Sequence, residues 1–182
     1  MKKLFLNGVL VGEVPATGDT SVDAAVARQF LKDRGLDREV TVVQAMFRQA
    51  VSFCDTAAML NADLQKQPSR GLTIAPFVVN LTFSIELYLK TLARAHDAEL
   101  TGHELASLFD SLPAPALAGI DIAANKGGGT LQRVRECLDD LKGVFVQWRY
   151  VYERERSPEV KVEPSIWVAM VLHAACQASG KV

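Results

Sequence analysis

Leu81-Thr82-Phe83-Ser84-Ile85-Glu86-Leu87-Tyr88-Leu89 decides the fold, because its alternation suits a half-buried strand. The apolar content, however, runs from Phe77 to Ala95 without a turn residue, too long for one ordinary strand. Pro76 fits a first helical position, where its missing N–H costs nothing. The stretch therefore reads as a helix that is apolar on nearly all faces, and hence a central one.

Its neighbours carry helical spacing too. Val40, Val43, Phe47, Ala50, Cys54, Ala57, Leu60 and Leu64 recur at three-and-four intervals, predicting a helix from about Asp37 to Gln67, stopped before Pro68. A short helix is expected from about His103 to Leu112, ended by Pro113 and Pro115. Ala114 to Gly129 is rich in small residues and glycine, and reads as a mobile loop. Thr130 then caps a strict heptad series, Leu131, Val134, Leu138, Leu141, Phe145, Trp148 and Tyr152, read as one long seam helix ended by Ser157-Pro158. Pro164 opens a last helix bearing Ile166, Trp167, Met170 and Val171. The main body reads as four long helices and a short one, an up-and-down four-helix bundle over residues 37–182.

Residues 1–36 read as a separate small lobe. Asn7-Gly8 between the apolar arms Leu4-Phe5-Leu6 and Val9-Leu10-Val11 is a hairpin signal. Asp19, Thr20 or Ser21 can cap a helix carrying Val22, Val26, Phe30 and Leu31, which stops at Gly35. The fold class is thus mainly α, with a small N-terminal β-hairpin and helix.

Composition narrows the function classes. The 182 residues are 49% hydrophobic and 23% charged, ordinary for a globular domain, and a net charge of −1 argues against a strongly basic nucleic-acid binder. No apolar run spans a bilayer, and Asn7-Gly8 ends the N-terminal apolar run too early for a signal peptide, so a cytoplasmic protein without membrane association is expected. Cys54, Cys137 and Cys176 lack Cys-x-x-Cys spacing and read as reduced core residues. Asn125-Lys126-Gly127-Gly128-Gly129-Thr130 lacks the Gly-Lys-Ser/Thr ending of a phosphate loop. Neither a metal nor a cofactor is implied.

The charged residues inside apolar segments are the candidates for chemistry. Glu86 and Lys90 lie four apart on one helix face and can pair. A carboxylate among Phe83, Ile85, Leu87 and Leu89 needs a partner, because burying it unpaired is far too costly. Arg149, which flanks the heptad seam, is a candidate partner, and its planar fork also suits a phosphate or carboxylate. Arg149 and Glu153 can pair along a helix. His103, after Thr101-Gly102, reads either as a cap-region histidine packed on the bundle or as a group at the bundle mouth near Glu86 and Arg149. His96 and His173 read as solvent-facing or satisfied core residues.

The set Ser84-Ile85-Glu86-Leu87-Tyr88-Leu89-Lys90, Gly102-His103-Glu104-Leu105 and Trp148-Arg149-Tyr150-Val151-Tyr152-Glu153 resembles the HEPN superfamily, over roughly Asp37 to Ser179. That resemblance implies a helical bundle, frequent homodimerisation, and roles in RNA cleavage, toxin–antitoxin pairs or phage defence. Active members pair an arginine with a histidine four to six residues later; Arg149 is followed by Tyr150, Val151, Tyr152, Glu153, Arg154 and Glu155. Arg149, Tyr150 and Glu153 instead match an Arg-Tyr-x-x-Glu variant of non-standard members.

The polar cluster expected is therefore Glu86, Lys90, His103, Arg149, Tyr150 and Glu153. The function expected first is a HEPN-like binding or regulatory module without the standard nuclease motif, a homodimer with an RNA, nucleotide or protein partner. The alternative is an atypical metal-independent endoribonuclease using His103 and Arg149. A third reading is an assembly protein whose polar cluster only fixes helix register.

Overall fold

The computed structural model describes residues 1–6, 8–37, 40–66, 73–153 and 159–182. It divides into two compact units, Met1–Val40 and Thr41–Val182.

In the first unit, β1 (Lys2–Leu6) and β2 (Val9–Val14) form an antiparallel pair. Gly8 takes φ +79, the left-handed conformation that a tight hairpin turn requires; Asn7 lies outside the described residues. The register slips between Leu4 and Phe5, leaving Val11 as an extra residue and hence a bulge. Helix α1 (Thr20–Asp33) is capped by Asp19, whose carboxylate accepts from the N–H groups of Ser21 and Val22. It ends at Gly35, φ +63, where Leu36 N–H returns to the carbonyl of Leu31. Asp23, on its first turn, is buried and accepts from Lys2 Nζ at 2.7 Å, Thr17 N at 2.7 Å and Thr17 Oγ1 at 2.9 Å. These bonds tie the start of β1, the linker and α1 into one body.

The second unit is helical throughout. Helix α2 (Val42–Leu64) starts later than Asp37 because Thr41 and Gln44 form a capping box. Its end falls at Leu64; the stop expected at Pro68 lies outside the described residues. Helix α3 (Ile74–Ala95) contains the deciding stretch. Phe77, Val78, Ile85, Tyr88, Leu89 and Leu92 are all at most 1% exposed, so burial extends around the helix and makes it the centre of the core. Thr82, Ser84 and Thr91 survive there because their hydroxyls donate to the carbonyls of Val78, Leu81 and Leu87.

Helix α4 (Leu105–Asp110) is short, with Glu104 as its cap, and α5 (Ala114–Lys126) follows directly. The loop expected over Ala114–Gly129 is in fact this helix. Alanine is the best helix former, Pro115 sits at the second helical position and Gly127 caps the end, so the small residues stabilise a helix rather than loosen a loop. The heptad series is also divided, into α6 (Leu131–Asp140), α7 (Val144–Arg149) and a 3₁₀ turn at Val151–Glu153. Gly143 takes φ +70 between them, a left-handed conformation that ends one helix and opens the next. Val134, Leu138, Leu141 and Trp148 are nevertheless buried as heptad spacing requires, while Tyr152 is 76% exposed. The expected end at Ser157-Pro158 lies outside the described residues. Helix α8 (Val162–Ala178) begins two residues before Pro164.

Side-chain pairs fix the helix directions. Phe53 meets Phe83 and Phe47 meets Tyr88, so α2 and α3 are antiparallel. Tyr88 meets His173, and Lys181 Nζ, just beyond α8, donates to the Ala95 carbonyl, so α8 runs parallel to α3. Trp167 closes the far side: its indole N–H donates to the Gly127 carbonyl at 2.9 Å and its ring carries the Arg133 guanidinium at 4.9 Å. The second unit is a helical body around α3, with seven α-helices among the described residues rather than four long ones and a short one.

Candidate binding site

Glu86 sits in the middle of α3 with 7% of its side chain exposed. Its Oε1 accepts from Lys90 Nζ at 2.8 Å and from His103 Nδ1 at 2.9 Å. The i,i+4 spacing brings in Lys90, and the α3–α4 connection brings in His103. Gly102, at φ +90, lets the chain turn tightly just before the histidine. Because a carboxylate only accepts, Nδ1 carries the proton of this bond, and the tautomer so fixed presents Nε2 to solvent. The imidazole itself is 81% exposed, so a buried charge holds a solvent-facing ring in a fixed orientation.

Beside this pair lies a recess of about 200 Å³, bordered by Thr82, Leu105, Leu141, Phe145 and Val146 together with Glu86, His103 and Glu104. Glu104 caps α4: its oxygens accept from Ala106 N and Ser107 N, and bonding to Ser107 and the backbone amides holds its carboxyl below the ordinary range. The break at Gly143 matters here, since α7 restarts so that Phe145 and Val146 wall the recess.

Three residues of the expected cluster are thus brought together: Glu86, Lys90 and His103. The others are placed differently. Arg149 ends α7, and its guanidinium lies 5.5 Å from the Tyr150 ring; no described carboxylate comes within ion-pair distance of it. Glu86 is satisfied by Lys90 and His103 rather than by Arg149. The Arg149–Glu153 pair expected along a helix is not formed, because α7 stops at Arg149 and Tyr150 leaves helical geometry at φ −116, ψ 31. Tyr150 packs edge-on to Tyr152.

A second polar contact was less visible in the sequence. Tyr88 is fully buried, yet its hydroxyl bonds His173 Nδ1 at 3.0 Å, with Phe47 stacked 5.2 Å from the imidazole. Burial pushes the Tyr88 phenol up and holds the His173 imidazole below its ordinary value, so this pair is neutral and structural. Burial likewise raises the Cys54, Cys137 and Cys176 thiols, and all three are free. Among the described residues no group of three or more His, Cys, Asp or Glu side chains could hold a metal ion, and no helix is long and apolar enough to cross a membrane.

The chain matches no protein-family model, no curated protein and no solved structure. What the site can do therefore rests on its own geometry.

Proposed function

We propose that the chain is a HEPN-like helical protein without the standard nuclease motif, acting as a binding or regulatory module in RNA-linked, toxin–antitoxin or defence systems. The observation that carries this reading is the pairing of His103 with buried Glu86, which orients the ring beside a recess and leaves Arg149 outside the contact. An oriented imidazole over a small concave surface with apolar walls is a recognition element. Purified protein incubated with RNA in chelator tests it: RNA stays intact under the proposal. Metal-independent degradation that disappears in Arg149→Ala overturns it.

One observation favours a second reading. With Nδ1 held by Glu86, the free Nε2 of His103 is arranged as a general base would be, and Arg149 follows Val146 by one helical turn. An atypical endoribonuclease would use these two groups at the 2′-hydroxyl and the scissile phosphate. Loss of RNA cleavage in both His103→Ala and Arg149→Ala would establish that alternative.

The proposal includes a homodimer formed through bundle helices. Met170 on α8 is 64% exposed and borders a concavity lined by Ala57, Ala58, Ala62, Phe77, Ile166 and Ala169. Exposed apolar surface of this kind commonly marks an interface, and two-fold dimers are the commonest solution. Trp167 does not join that patch, being engaged by Gly127 and Arg133. Light scattering at low micromolar concentration decides the matter: a mass near 19.8 kDa refutes the dimer.

A further inference from the structure

We infer that the recess beside Glu86 binds an organic cation, an ammonium or guanidinium group carried on an aliphatic stem. The inference deepens the binding-module reading and rests on it for the location of the site. Both described partners of Glu86 bond the same oxygen, Oε1. Its Oε2 accepts no bond from a described residue and is not sealed from solvent, while the side chain as a whole is more than nine-tenths buried. Lys90 and His103 thus satisfy Oε1, and Oε2 remains able to accept from a donor that enters the recess.

The other polar side chains around the recess point to the same chemistry. Thr82 spends its hydroxyl proton on the Val78 carbonyl and retains acceptor lone pairs. His103 spends its Nδ1 proton on Glu86, so the neutral tautomer offers Nε2 as an acceptor. Glu104 is a carboxylate. All four polar side chains bordering the recess can therefore accept, and no described lysine or arginine borders it. Lys90, which neutralises Oε1, borders a different concavity with Val42, Met46 and Arg94. A phosphate would face the Glu86 and Glu104 carboxylates across the recess, against which the described lining sets only backbone N–H groups, those at the start of α7 among them. An ammonium with three donors, or a guanidinium with five, can donate to Oε2 and still offer N–H groups to the other acceptors of the recess. Leu105, Leu141, Phe145 and Val146 supply apolar walls for the methylene stem, which long cationic side chains bury readily.

Such a cation comes either from a lysine or arginine side chain of a polypeptide or from a free polyamine. The full-length chain, labelled with ¹⁵N, is titrated with acetyl-Ala-Lys-Ala-amide, with putrescine, with the isosteric neutral acetyl-Ala-Gln-Ala-amide and with inorganic phosphate. The expected result is saturable shifts of amides around Leu105 and Val146 with the two cations and none with the neutral peptide or phosphate. Tighter binding of the peptide assigns a polypeptide source, and tighter binding of putrescine a free polyamine. Glu86→Gln weakens the cation at least tenfold. Because that variant perturbs the core, Val146→Lys is the second test: position 146 is 57% exposed, and a lysine there places its own ammonium in the recess and competes. Equal binding of the glutamine peptide, unchanged affinity in Val146→Lys, or no binding of either cation overturns the inference. Cation binding alongside metal-independent RNA cleavage would sink the module reading alone, whereas absent cation binding with intact RNA would sink this inference alone.

Discussion

The indole of Trp167 covers Gly129 so closely that a Cβ on that glycine would sit 2.3 Å from Cζ2 and 2.7 Å from Cη2. Backbone and ring meet there with no room for a side chain, and the ring is itself fixed by its bond to the Gly127 carbonyl. Gly129→Ala must move the ring or the α5–α6 connection, and overpacking of this type costs about 1–3 kcal/mol. Thermal melts should show a clear loss for Gly129→Ala, and none for Gly119→Ala, where a Cβ meets nothing within 4 Å. Equal melting of the two would disprove the close packing.

Gly143 gives a backbone counterpart. At φ +70 it separates α6 from α7, and a Cβ there is strained wherever its neighbours lie. Gly143→Ala is expected to cost about 1–2 kcal/mol, the penalty of left-handed geometry for an L-residue. Denaturant unfolding measures it. A more stable variant would mean that the heptad series prefers to run as one continuous helix.

Glu86 holds two cationic or donor groups at once. Removing its charge leaves Lys90, a fifth exposed, without its partner and frees the His103 ring. Glu86→Gln should lower stability by about 1–3 kcal/mol, below the cost for a fully buried pair because Lys90 and His103 reach water. His103→Ala should change melting little, since its ring is largely solvated. The ratio of the two losses, read in one set of urea titrations, is the check; equal losses would refute the assignment of Glu86 as the structural member.

Two groups make stability depend on pH in different windows. Bonds from Lys2 and Thr17 hold the Asp23 carboxyl far below its ordinary range. A depressed carboxylate contributes stability that is present above its unfolded value, about 4, and is lost as pH falls toward the folded one. His173 is also depressed, here by burial, so the folded state favours the neutral ring. Its contribution is whole above about pH 6.5 and declines as pH drops, because the unfolded chain takes up the proton first. Melting followed from pH 8 to 5 should fall in the parent chain and flatten in His173→Gln. A slope that survives the substitution would assign it elsewhere.

How much of this was legible in the chain follows from the range over which each signal acts. The hairpin and α1 were, since a Gly-containing turn, Asp19 and Gly35 impose local geometry. The central helix was, because an apolar run of that length has few alternatives to a buried helix. Helix α5 was hidden by its glycines, although Pro115, the alanines and Gly127 carry start, body and stop. The division at Gly143 was hidden for the opposite reason: the heptad positions stay buried across the break, so the pattern looks uninterrupted. At the site, the need of Glu86 for a partner was visible and its i,i+4 lysine obvious. That His103 rather than Arg149 completes the contact depends on how the α3–α4 connection folds back, which no local pattern encodes. Tyr88 and His173 lie 85 residues apart and left no joint trace.

The hairpin of the first unit has a consequence of its own. A two-stranded sheet consists of edges alone: β1 and β2 each have an outer edge, on which Arg34 donates to the Val11 carbonyl at 2.8 Å, beside Phe5, Val9 and Leu10, all more than half exposed. Such a ribbon is a template on which a further strand can grow, whether from a neighbour in a concentrated solution or from an unfolded chain during synthesis. The bulge at Val11 and the exposed Lys3 act against this, one by twisting the ribbon and the other by setting charge on its rim. Lys3→Val would remove that charge from the rim and is expected to make the ribbon more prone to strand-to-strand association, which light scattering over time would detect.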